Sequence, residues 1–99
     1  MAADKANTDF LFDTILRLKT REECRKFFAD LCTYKEIDAM AQRLCAAQML
    51  LSGETYEEII EKTDISSATL SKVSRCVKHG EGYKNMLKPL NGAKTGGKE

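Results

Sequence analysis

Thr55-Tyr56-Glu57-Glu58-Ile59-Ile60-Glu61-Lys62-Thr63, then Asp64-Ile65-Ser66, then Ser67-Ala68-Thr69-Leu70-Ser71-Lys72-Val73-Ser74-Arg75, is the stretch that decides the fold. Thr55 followed three residues on by Glu58 is a capping box, so a helix is predicted to begin there. Asp64 falls where a tight turn asks for a positive φ. Glycine adopts that conformation at least cost, and Asp and Asn tolerate it. Ile65 is expected to point inward between two helices. Ser66 can cap the second helix by accepting from a backbone N–H two or three residues later. Leu70, Val73 and Val77 repeat at i, i+3 and i+7, which gives that helix one buried stripe. Two short helices meeting at such a break have the layout of a helix-turn-helix.

The residues off the stripe are small, hydroxylated or cationic. Thr20 with Glu23, Thr33 with Glu36 and Thr55 with Glu58 each place a carboxylate near a helix start, where the macrodipole favours it. The helix that follows Ser66 has no acid in its first turn. A helix start kept free of carboxylates is suited to meet phosphate, and the second helix of this motif is the one that enters the DNA major groove. The candidate DNA-binding set is Ser66, Ser67, Ala68, Thr69, Ser71, Lys72, Arg75 and Lys78. Lys72 is the first candidate for a base contact, to guanine N7 or O6. Ala68 suits a thymine methyl, and Ser67 and Ser71 suit direct or water-mediated bonds. Thr69, Arg75 and Lys78 are expected to hold phosphates and set register.

Charge is segregated along the chain. Residues 1–64 hold nine Lys or Arg against thirteen Asp or Glu, and residues 65–98 hold seven against Glu81 alone. The net charge of +1 therefore conceals a basic end on an acidic body, the pattern of a polyanion-binding protein. A helix-turn-helix can also serve as a protein–protein interaction module, with the acidic part as its working face. The basic end argues against that alternative.

At 99 residues the chain is expected to form one domain over 1–90, with 91–99 a disordered tail rich in Gly and Lys. A chain this small buries a limited share of its surface, which favours oligomerisation. Cys24, Cys32, Cys45 and Cys76 form no C-x-x-C pair and His79 is the only histidine, so neither a metal nor another cofactor is expected. Cys76 and His79 lie three apart without an orienting acid or a glycine-rich loop, which argues against an enzyme. With no secretory signal and no membrane-length apolar run, the cytoplasm is the expected compartment and no membrane partner is expected.

The pattern predicts six helices. The first spans about Thr8 to Leu18, with Leu11, Ile15 and Leu18 on one line and Phe12 and Leu16 on another, so a partner subunit could cover one face. The second runs from Thr20 to about Cys32 on a stripe of Cys24, Phe27, Phe28 and Leu31. The third runs from Thr33 to about Ser52, with Ile37, Met40, Ala41, Leu44, Cys45, Gln48 and Leu51 as its face and Gly53 ending it. The fourth and fifth form the motif, closed by Gly80 and Gly82. A short sixth carries Tyr83, Met86 and Leu87 before Pro89.

From Thr33 to Leu87 the chain resembles the tryptophan-repressor superfamily, and more closely the YerC/YecD-type branch of Trp-repressor-like proteins. The resemblance is carried by the segment from Gln42 that ends Leu50-Leu51-Ser52-Gly53-Glu54, and by Ser67-Ala68-Thr69-Leu70-Ser71-Lys72. It implies an all-α, six-helix fold forming an intertwined homodimer, which binds palindromic operator DNA as a transcriptional repressor. Tryptophan, the corepressor of the founding family, is held by an arginine before the motif and an Arg-Gly pair on the recognition helix. Those positions match Arg43, Lys72 and Val73 here. Val73 belongs to the inward stripe and is expected to fill the space the glycine leaves, so tryptophan binding is not expected. Arg43 is either the contact of some other effector or a partly exposed arginine paired with a nearby acid. Ile60 stands where such motifs keep alanine for close helix crossing, which implies a slight splay of the pair.

Overall fold

The helix starts after Thr20, Thr33, Thr55 and Ser66 are written into three-residue windows. In a computed structural model that describes residues 4–87, six helices follow in order: α1 (Asp4–Ile15), α2 (Arg21–Leu31), α3 (Tyr34–Leu51), α4 (Tyr56–Thr63), α5 (Ser67–His79) and α6 (Gly82–Met86). No strand occurs among the described residues. The expected tail over 91–99 lies outside them. The chain divides into two units, the first ending at Ile37 and the second beginning at Asp38.

In the first unit α1 begins earlier than its apolar pattern suggests and stops at Ile15. Leu16–Leu18 continue as a tighter turn, in which the Arg17 and Leu18 N–H groups donate to the Thr14 and Ile15 carbonyls at 3.0 Å. The Thr14 hydroxyl donates back to the Phe10 carbonyl at 2.7 Å, a local bond that competes with helix continuation. Thr20 caps α2 by accepting from the Glu23 N–H at 3.0 Å. Glu23 does not return the bond to Thr20. Its carboxylate reaches one residue further and accepts from the Lys19 N–H at 2.7 Å. Phe27 and Phe28 meet edge to face at 5.5 Å, the geometry ring quadrupoles favour. No side chain from Lys5 to Ile37 is fully buried. Phe10 is 73% exposed, Phe12 54% and Leu16 80%.

The second unit has a closed core of Ala46, Ala47, Ile59, Ile65, Leu70, Val73 and Val77, with Met49, Leu50, Leu51, Ile60, Tyr83 and Leu87 packed on it. The inward face of α3 differs from the expected one. Ala46 and Ala47 are sealed, while Met40 and Leu44 are exposed and Cys45 lies open. An apolar residue on nearly every side of α3 leaves helical periodicity with no single answer. The two alanines supply the flat surface on which the bulkier Ile59 and Leu70 can seat. Gln42 then ties α3 to the end of α4, its Nε2 donating to the Thr63 carbonyl at 2.9 Å.

Gly53 ends α3 as expected. Its φ of +90° lets the Gly53 N–H reach the Leu50 carbonyl and the Glu54 N–H reach the Met49 carbonyl, both at 3.1 Å. That pair of bonds is a Schellman motif. The fully reciprocal capping boxes are at Thr33–Glu36 and Thr55–Glu58. Asp64 takes the left-handed conformation expected of it, with φ 63° and ψ 16°. Asp64→Gly is expected to raise the unfolding free energy by about 0.5–1 kcal/mol, since loss of Cβ relieves the left-handed penalty. A lower urea midpoint would show that the aspartate side chain itself holds the turn.

Gly80 caps α5 in an extended conformation rather than a left-handed one. A Cβ there would meet the Cys76 carbonyl oxygen at 2.8 Å, so close approach is what requires glycine. Gly82 does not close α5; it opens α6. On α6, Tyr83 and Leu87 pack on the core and Met86 is 80% exposed.

Candidate nucleic-acid interface

α5 is built as a two-faced rod. Leu70, Val73, Ser74 and Val77 are buried, and Val73 is only 1% exposed. The other side carries Ser67, Ala68, Lys72, Arg75 and Lys78, all exposed, with Thr69 and Ser71 half-buried at its margin. Ser74 was absent from the expected stripe, although its position four residues after Leu70 marks it. Ile65 is 1% exposed and fixes the turn beneath the rod. The Thr63 hydroxyl braces the same turn, donating to the Ile59 carbonyl at 2.8 Å and accepting from the Ile65 N–H at 3.2 Å.

The start of α5 is closed by hydroxyls. Ser66 Oγ accepts from the Thr69 N–H at 3.1 Å and donates its own proton to Thr69 Oγ1 at 2.9 Å. A serine hydroxyl has one proton to give, so Ser66 is spent on the cap and Thr69 keeps its own donor for another acceptor. Among α2 to α5, α5 alone joins a side-chain cap to a first turn without acid. α2 carries Glu22 and Glu23 there, α3 carries Glu36, and α4 carries Glu57 and Glu58.

α4 is held from outside as well as from the core. Lys62 Nζ meets Glu54 Oε1 at 2.9 Å, which clasps the helix to the loop before it. The hydrogen bond to Glu54, with its charge, raises the Lys62 pKa above the ordinary 10.5, so the Lys62 ammonium keeps its proton until strongly alkaline pH. Ile60 is half-buried against the core.

Arg43 is half-buried on α3, and no ion pair to it occurs among the described residues. It lines neither of two open grooves beside α3. One, of about 370 Å³, is bounded by Asp38, Ala41, Gln42, Cys45, Met49, Lys62 and Thr63. The other, of about 300 Å³, is bounded by Leu44, Cys45, Gln48, Met49 and Leu87. Cys76 and His79 are both exposed near the end of α5, with no bond between them among the described residues. No helix there is long and apolar enough to cross a membrane, and no cluster of metal-ligating side chains occurs there.

An all-helical chain whose fourth and fifth helices meet at a left-handed turn, with a polar and cationic outer face on the second, is a helix-turn-helix protein. The model of the Trp repressor protein family matches residues 6–91, and the chain belongs to that family, whose members are regulators. Among curated proteins it is 53% identical over 72 residues to the uncharacterized protein YerC of Bacillus subtilis, covering 73% of this chain and 69% of that protein. It is 35% identical over 85 residues to the Trp operon repressor homolog of Chlamydia caviae, covering 84% and 83%. Among solved structures, a TrpR-like protein from Eubacterium eligens superposes with a TM-score of 0.80 at 38% identity, covering 89% of this chain and 99% of that one.

Proposed function

We propose that this protein is a sequence-specific DNA-binding transcriptional regulator, a repressor that occupies a palindromic operator as a homodimer in the cytoplasm. The observation that carries the reading is the division of α5: its aliphatic side is sealed in the core, and Ser67, Ala68, Thr69, Ser71, Lys72, Arg75 and Lys78 remain available outside. Lys72 reads a guanine, Ala68 a thymine methyl, and Ser67 and Ser71 bond directly or through water. Thr69, Arg75 and Lys78 hold phosphates. Ser66 contributes by fixing the helix start rather than by a hydroxyl contact.

What the protomer leaves open supports dimerisation. Phe10, Phe12, Leu16 and Leu31 in the first unit, with Met40 and Leu44 on α3, are 38–80% exposed. Apolar surface of this extent on a small soluble chain marks a protein interface. A second subunit interleaved through α1 and α2 removes it from water and makes residues 1–90 part of one domain. Two copies of α5 then enter successive major grooves, roughly 34 Å apart.

Tryptophan does not fit this reading, because Val73 is packed in the core where an indole would need room. Arg43 remains the residue at which another effector would be sought. The rival reading, a protein–protein interaction module working through the acidic surface, predicts a captured protein partner and no affinity for mixed duplex DNA.

Selection of bound sequences from a random duplex pool tests the proposal directly. Enrichment of a palindrome with affinity falling steeply in salt is expected; no enrichment would end it. Phe10→Glu is expected to shift the protein from dimer to monomer in sedimentation velocity, at a cost of about 2–4 kcal/mol of association. An unchanged mass would place the interface elsewhere.

A further inference from the structure

The two helices that flank α5 carry opposite charge on their open surfaces. On α4, Glu57, Glu58 and Glu61 are exposed. Its one cation, Lys62, is engaged by Glu54 at 2.9 Å. The Glu58 carboxylate is itself held in place, accepting from the Thr55 N–H at 2.9 Å. In helix-turn-helix complexes the first helix crosses the sugar–phosphate backbone. Carboxylates on a helix so placed meet phosphates of like charge.

On α6 the situation is reversed. Lys84 is exposed, and its Nζ donates to the Lys78 carbonyl oxygen at 3.0 Å. That carbonyl lies in the last turn of α5, where the helix no longer supplies a partner. An ammonium carries three donors, so the contact holds Lys84 against the end of α5 and leaves it two N–H groups. Its positive charge thereby joins that of Lys78 at the end of the rod, where Glu81 is the single exposed acid among residues 65–87.

We infer that the DNA backbone is gripped from the α5–α6 side and repelled from the α4 side, with Lys84 a phosphate contact beyond those of α5 and with Glu57 and Glu61 excluding the strand from α4. The inference rests on the DNA-binding reading and specifies how that surface is used. Repulsive groups of this kind contribute to discrimination as much as attractive ones do. They raise the dependence on groove contacts made by α5, because non-specific binding is almost wholly phosphate attraction.

The test is equilibrium binding of the full chain to its selected duplex across a KCl series, comparing wild type, Lys84→Gln, Lys84→Arg and Glu57→Gln/Glu61→Gln. Loss of one phosphate contact lowers the slope of log affinity against log salt by about one. Lys84→Gln is expected to do this and to weaken binding about three- to tenfold, while Lys84→Arg restores both. The double glutamine variant is expected to tighten binding to operator and random duplex alike, about three- to tenfold in low salt. If Lys84 acts only as a cap on α5, Lys84→Gln will lower the thermal midpoint and leave the salt slope unchanged. That result, or unaltered affinity in the double variant, overturns the inference while leaving DNA binding by α5 intact. Absence of wild-type binding to any duplex would overturn both.

Discussion

Leu70→Ala is expected to lower the unfolding free energy by about 2–5 kcal/mol, the range for truncating a sealed leucine. Leu70 is wholly buried, and it belongs to a cluster with Ile59, Ile65, Val73 and Val77 that joins both helices of the motif to the turn between them. Truncation removes apolar burial and leaves a cavity that neighbouring side chains, themselves sealed, can fill only in part. Against a total stability of about 5–15 kcal/mol for a domain, the loss amounts to a large share. Urea unfolding followed by circular dichroism measures it. A midpoint within experimental error of wild type would mean that the α4–α5 core is not what holds the motif. Ser67→Ala, on the exposed face, takes nothing from the core, so the contrast isolates the buried stripe.

Lys72→Ala is expected to weaken operator binding by about 1–3 kcal/mol and to relax preference at one base pair per half-site. Lys72 is exposed midway along α5, flanked by Ser71 and by the buried Val73, so its long side chain can extend without disturbing the core. Removing it takes away a charged donor but no packing, and the unfolding midpoint should hold. Repeating the selection with the variant reads out the change. Retained preference at every position would assign base reading to Ser67, Ala68 or Ser71 and reduce Lys72 to a phosphate contact. The pairing of these two variants separates the faces of one helix: one substitution costs stability, the other costs recognition.

Much of the motif is legible in the sequence. The caps at Thr20, Thr33, Thr55 and Ser66, the left-handed Asp64, the glycine stop at Gly53 and the inward Leu70, Val73 and Val77 all stand where their residues place them. Each depends on groups within a few residues of one another. The boundaries of α1 were not legible, because no box or glycine marks either end. The buried face of α3 departs from its apolar pattern for a different reason. Its residues offer apolar stripes on more than one side, and the one built on Met40, Leu44 and Cys45 proved to be exposed. Lys84 gave no sign in the sequence of its bond to the Lys78 carbonyl, because that bond depends on the fold between α5 and α6.

The chain by itself determined where α2, α3, α4 and α5 start, how the turn at Asp64 is made and which side of α5 turns inward, since capping bonds, dihedral preferences and a single clean apolar stripe are local properties. Tertiary structure decided that Ala46 and Ala47 rather than Leu44 and Cys45 meet the core, that Lys62 is clasped by Glu54, and that Lys84 sits at the end of α5. Those outcomes require elements distant along the chain to compete for the same surface, and packing volume and charge settle the competition only once the elements come together.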